Sequence, residues 1–83
     1  MVTSHTARLL ADRNLCLRKL GEECAELLTA LADGDRARVV AEAADLVYHA
    51  VVASVAAGVP FDDVRRELAA RATARPATSA SPL

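Results

Sequence analysis

From Leu15 onward, apolar residues fall at Leu17, Leu20, Cys24, Leu27, Leu28 and Leu31, spacings of three and four that place them on one side of a helix. Glu22, Glu23 and Glu26 interrupt this run and share an arc of about 100° on the side away from the leucines. The stretch "ADGD" predicts the end of the helix, because Gly34 suits a left-handed C-terminal position and Asp35 can cap the helix that follows. Upstream, Thr3 or Ser4 can cap a short first helix reaching about Asp12, with Asn14 interrupting or re-capping the chain before the leucine helix.

The segment from about Arg36 to Ala57 has a different pattern. "VVAEAADLVYHAVVASVAA" is apolar on nearly every side, and Glu42, Asp45 and His49 share a wedge of roughly 60° on it. A helix of this kind is expected inside a bundle rather than on its surface. "GVPFDD" then breaks the chain: Gly58 ends the helix, Pro60 stands near the first turn of another, and Asp62 and Asp63 favour its positive end. This last helix is expected to run to about Arg71 or Ala72, with Val64 and Leu68 facing inward. "ARPATSASPL", residues 74–83, is rich in Pro, Ser, Thr and Ala without periodicity and reads as a disordered tail. Residues 1–73 are therefore expected to form one all-α domain, a small bundle of about four helices. A chain of 83 residues builds so modest a core that dimerisation is expected to complete it.

Composition narrows the reading. The hydrophobic fraction is 53%, yet there is one Tyr, one Phe and no Trp, so the core must be Ala, Leu and Val in closely packed helices. A net charge of -1, from 10 basic and 11 acidic residues, supplies no bulk attraction to nucleic acid or to an anionic membrane. No apolar run approaches the roughly 20 residues that span a bilayer, and "MVTSHTARLL" lacks the regions of a signal peptide. The chain is thus expected to be soluble and cytoplasmic, with neither nucleic acid nor membrane as a partner. Cys16 and Cys24, two helical turns apart and outside any CxxC arrangement, read as small buried hydrophobes in a reducing compartment.

The acidic residues carry the chemistry. Glu23-x-x-Glu26 and Glu42-x-x-Asp45 lie on consecutive helices, and an antiparallel hairpin could bring both pairs to one level. Carboxylates so placed repel one another, and desolvation adds to the penalty, which leaves protonation or a cation as the physical outcomes. Oxygen donors without clustered Cys, and with a single nearby His, suit Mg²⁺, with Mn²⁺ as the alternative, better than Zn²⁺. Taken alone, Glu22, Glu23 and Glu26 would read as a solvated face paired with Arg18, Lys19 or Arg8. Glu42 and Asp45, on a helix with so little polar surface, are what argue for a site. His49 reads as a histidine supporting the ligands or the core from behind rather than touching an ion. Tyr48 reads as a packing residue with its hydroxyl at a boundary. Lys19 fits a phosphate contact and an ion pair to Glu23 equally well.

"KLGEECAELL", "EAADLVYH" and "GVPFDDVRREL", in that order, resemble the blocks of phosphoribosyl-ATP pyrophosphohydrolases, second-step enzymes of histidine biosynthesis within the all-α, MazG-like nucleoside-triphosphate pyrophosphohydrolase superfamily. The resemblance spans about Ser4 to Arg71. It implies that Glu23, Glu26, Glu42 and Asp45 are magnesium ligands, that Glu22 orients or deprotonates the attacking water, and that Lys19 contacts phosphate, with Arg8 as a further substrate contact. The implied reaction is hydrolysis of the α–β phosphoanhydride of phosphoribosyl-ATP to phosphoribosyl-AMP and pyrophosphate, by a homodimer or higher homo-oligomer. Two positions depart from the pattern: His5 stands where tyrosine is usual, and Ala41 where a further glutamate often occurs. The stretch before Ser4 is also short. These departures touch substrate recognition and leave the ligands intact. They keep open a paralogue acting on another nucleotide, or a non-catalytic nucleotide-binding or association module.

Overall fold

Ser4 and Asp12 set the start of the fold. In the computed structural model, which describes residues 4–74, the Ser4 hydroxyl accepts from the Ala7 N–H at 3.0 Å and opens α1 (His5–Ala11). Asp12 then closes α1 and, through its carboxylate at 3.1 Å from the Leu15 amide nitrogen, caps α2 (Arg13–Asp33). The break falls at Asp12 and not at Asn14, which lies inside α2. Gly34, at φ 69°, ends α2 in the left-handed region, and the Asp35 side chain accepts from Arg38 to start α3 (Arg36–Ala56). Gly58, at φ 84°, turns the chain into α4 (Phe61–Ala74), which runs slightly beyond the expected end. Among the described residues the fold is all-α, as expected. The tail read as disordered lies outside the described residues except for Ala74.

α2 and α3 form an antiparallel hairpin, α1 packs across both, and α4 touches chiefly α3. The buried cluster joins Leu9, Cys16 and Val52, with Leu15 and Ala53 packed against it. Along α2 the buried positions are Cys16, Glu23 and Ala30, each seven residues apart. This line lies about 100° from the line Leu17–Cys24–Leu31, so the hairpin seam runs past Glu23 and leaves most of the leucine stripe outside.

Several expectations change as a result. α3 buries only His49 and Val52, and Val40 and Val47 are 69% and 61% exposed, so within one chain it is not an enclosed helix. Leu28 on α2 is 67% exposed. Only α2 lies along α3 over much of its length; α1 and α4 touch it at smaller patches, which leaves part of its apolar surface uncovered within one chain. α4 buries nothing fully: Val64 is half-buried and Leu68 exposed. Cys16 is buried but Cys24 is exposed, and both are free thiols. α3 is also long and apolar enough, by length and composition alone, to cross a membrane, contrary to the estimate from contiguous apolar runs. Its Glu42 and His49 are instead turned into the protein seam.

Candidate metal centre

The hairpin seam determines which carboxylates meet. α2 presents Glu23 and Glu26 one turn apart, and α3 presents Glu42 nearly two turns from its start, close to them. One carboxylate oxygen from each of Glu23, Glu26 and Glu42 lies within 4.8 Å of the others. Glu23 is buried at 6% exposure, Glu42 half-buried and Glu26 exposed, so the group is open on one side. Asp45, the fourth expected member, is exposed and stands outside this tight triplet, yet its charge still acts on both Glu23 and Glu42.

The electrostatics follow from that geometry. Burial pushes the Glu23 carboxyl above the ordinary carboxylate value, and the charges of Glu26 and Asp45 push it the same way, against the weaker opposing influence of His49 and Lys19. Glu42 is raised first because its protonated form hydrogen-bonds to Glu26, then by burial and by the charges of Glu26, Asp45 and Glu23. Oε2 of Glu23 and Oε2 of Glu42 are buried without a hydrogen-bond partner. Two orphaned carboxylate oxygens beside a third carboxylate form an acceptor-only set, which a hard divalent cation satisfies. The donor set therefore fits Mg²⁺, or Mn²⁺, with Glu23, Glu26 and Glu42 as the residues that could hold it and Asp45 beside them.

The other expected site residues divide. His49 is buried, its Nδ1 2.8 Å from the Asp45 carbonyl oxygen. Glu22 is exposed and stands outside the triplet; it pairs with Lys19 at 3.3 Å and Arg18 at 3.8 Å. Lys19 thus bonds Glu22, not Glu23 as one sequence reading had it. Arg8 lies exposed in the last turn of α1, and among the described residues Glu22 pairs with Arg18 and Lys19 rather than with it.

An aromatic corner adjoins the carboxylates, and the pattern of the sequence did not show it. The His5 ring lies nearly parallel to Tyr48 at 6.2 Å and edge-on to His49 at 5.8 Å, while Tyr48 and His49 meet edge-to-face at 5.0 Å. Thr6 Oγ1 hydrogen-bonds the Tyr48 hydroxyl, fixing the start of α1 against the middle of α3. Periodicity cannot report a contact across 42 positions. The unusual His5 was the only signal near it.

A family model described as Phosphoribosyl-ATP pyrophosphohydrolase matches residues 1–72. Among curated proteins the chain is similar to the phosphoribosyl-ATP pyrophosphatase of Ruegeria pomeroyi, 46% identical over 70 residues, covering 83% of this chain and 67% of that protein. It is 45% identical over 69 residues to the protein of the same name from Gluconobacter oxydans, covering 82% of this chain and 52% of the relative. The namesake from Dechloromonas aromatica is 41% identical over 69 residues, covering 82% and 64%. The chain thus spans between about half and two thirds of the length of these curated relatives.

Proposed function

Because the chain belongs to the phosphoribosyl-ATP pyrophosphohydrolase family, we propose that it hydrolyses the α–β phosphoanhydride of phosphoribosyl-ATP, releasing phosphoribosyl-AMP and pyrophosphate, as a cytoplasmic step of histidine biosynthesis. The observation that carries this reading is the convergence of Glu23, Glu26 and Glu42 oxygens within 4.8 Å on a partly buried seam. The curated relatives are named for an activity on the same nucleotide.

Phosphoanhydride hydrolysis asks for charge neutralisation on the phosphate oxygens and for a positioned water. Glu23, Glu26, Glu42 and Asp45 would hold Mg²⁺, with Mn²⁺ as the alternative, and the ion supplies the charge neutralisation when bound. The open side of the group, at Glu26 and Asp45, is the side from which a polyphosphate can approach. Lys19, half-buried and paired with Glu22, would release that carboxylate and meet a phosphate oxygen as a mobile point charge. That exchange would free Glu22 to accept a proton from water, and Arg8 on the neighbouring α1 adds positive charge for the substrate. A second copy of the chain covers the leucine stripe of α2 and the valines of α3 in this reading, giving a homodimer or higher homo-oligomer.

The test is direct. The purified chain, incubated with phosphoribosyl-ATP and Mg²⁺, is expected to release pyrophosphate and no orthophosphate. His5 at the edge of the site favours one second reading, a paralogue for another nucleotide, so a panel of nucleoside triphosphates belongs in the same assay. Turnover of a panel member but not of phosphoribosyl-ATP would select the paralogue. Absence of pyrophosphate from every substrate overturns the enzymatic reading and leaves a nucleotide-binding or association module.

A further inference from the structure

We infer that Nε2 of His49 accepts a hydrogen bond from a water molecule held at the Glu23–Glu26–Glu42 group and so orients that water for attack. The inference rests on the proposed hydrolytic reading and assigns one more residue to it.

Three observations converge on this atom. First, His49 is 6% exposed and its Nδ1 lies 2.8 Å from the Asp45 carbonyl oxygen. A carbonyl can only accept, so Nδ1 carries the hydrogen, and in the neutral ring Nε2 is left as a bare acceptor. Second, Nε2 is buried and has no hydrogen-bond partner. Third, its aromatic neighbours supply no partner for it. Tyr48 meets it edge-to-face at 5.0 Å, His5 at 5.8 Å, and the Tyr48 hydroxyl is engaged by Thr6.

The surroundings say what the partner must be. His49 on α3 and Glu23 on α2, each 6% exposed, are the buried polar residues of the two paired helices. Glu23 Oε2 nevertheless lacks a partner, as does Glu42 Oε2, so the imidazole and the carboxylates do not satisfy one another directly. Nε2 of His49 and Oε2 of Glu23 and of Glu42 are thus three buried atoms without a partner. A water is the smallest species that donates to Nε2 and to a carboxylate together, and its lone pair then points away from both. Held from behind in this way, the water keeps its oxygen free for a phosphorus atom on the open side.

The experiment uses Mn²⁺ alone as the probe, with the chain labelled by ¹⁵N-histidine. The sequence contains two histidines, His5 and His49, so His49→Gln assigns any signal. Electron–nuclear double resonance of the Mn²⁺-loaded parent is expected to show a weak nitrogen coupling, that of an imidazole one hydrogen bond removed from the ion's water, absent from His49→Gln and retained in His5→Gln. A strong coupling would make His49 a direct ligand and overturn the inference. So would the lack of any coupling that depends on His49. A parent without any weak coupling overturns the inference whatever the variants do, and where His49→Gln fails to fold, retention of the coupling in His5→Gln assigns it to His49.

Kinetics supply the second arm. His49→Gln keeps an acceptor oxygen near the Nε2 position, whereas His49→Phe keeps only the volume. His49→Phe is expected to lose about 100-fold in kcat, with KM changed by less than about threefold, and His49→Gln to recover at least roughly tenfold of that loss. Equal losses in both variants, matched by equal falls in melting temperature, would show a structural role and overturn the assignment. A His49-dependent coupling in a parent that leaves phosphoribosyl-ATP intact would sink the substrate reading while the residue's role stands; turnover without that coupling would do the reverse.

Discussion

Glu23 occupies a position where the seam of a helical hairpin ordinarily places an apolar side chain, between Cys16 and Ala30. Its folded-state pKa is raised, as is that of Glu42, above the ordinary value of 4.5. A carboxyl raised on folding contributes stability that is fully present below its unfolded pKa and is lost as pH climbs through the folded value. In a chelator-treated sample, the parent is therefore expected to lose stability as pH rises from 4.5 through the raised values, and Glu23→Gln to flatten that slope. Thermal unfolding as a function of pH measures both; a parent slope that Glu23→Gln leaves unchanged would contradict the assignment. Divalent ions are expected to invert the trend, because they bind the deprotonated group. At a hundredfold excess over Kd the gain is about 2.7 kcal/mol, roughly 10 °C or more in Tm for a domain this small. Mg²⁺ or Mn²⁺ titrations should show that rise in the parent and little of it in Glu42→Gln.

At the scale of elements, the caps were the most legible features. Ser4, Gly34, Asp35 and Gly58 act where their types predict, since each satisfies a local backbone need that no distant contact has to supply. Asn14 and Asp12 are near-equal capping types, and local chemistry could not choose between them. The choice falls to packing, because a corner at Asp12 lets Leu9 and Cys16 reach the same cluster with Val52. Asp12→Ala is expected to destabilise by about 1 kcal/mol, a fall of some 4–8 °C in Tm. Gly34→Ala meets no atom within 4 Å, so its expected loss of about 1–2 kcal/mol comes from the left-handed backbone alone. Calorimetry of the two variants checks both, and a neutral Gly34→Ala would refute the backbone account.

The molecule as a whole leaves a large apolar area uncovered: Leu17, Leu28 and Leu31 on α2, Val40 and Val47 on α3, and Phe61 and Leu68 on α4 are all exposed. Water contact along two long helices is unfavourable by roughly 25 cal/mol per Å², a strong drive toward association. The parent is expected to sediment as a dimer or larger and to melt at a temperature that rises with concentration. Val47→Glu and Leu28→Glu each place a charge in that face, and each should shift the species toward monomer. A monomeric parent at high concentration would refute the association reading.

By itself, the sequence determined the helices, their caps, the pairing of Glu23-x-x-Glu26 with Glu42-x-x-Asp45, and the family blocks that carry them, because each is written in spacings of a few residues. It could not decide which side of α2 would be buried: glutamates and leucines lie within one turn of each other, and a rotation of about 100° exchanges them. Only the tertiary packing turned Glu23 inward and the leucine stripe out, set Asp45 apart from the tight triplet, and buried His49 with Tyr48 and His5 around it. Those outcomes depend on contacts between residues far apart in the chain, where the energy of a shared seam, and not any local preference, selects the face.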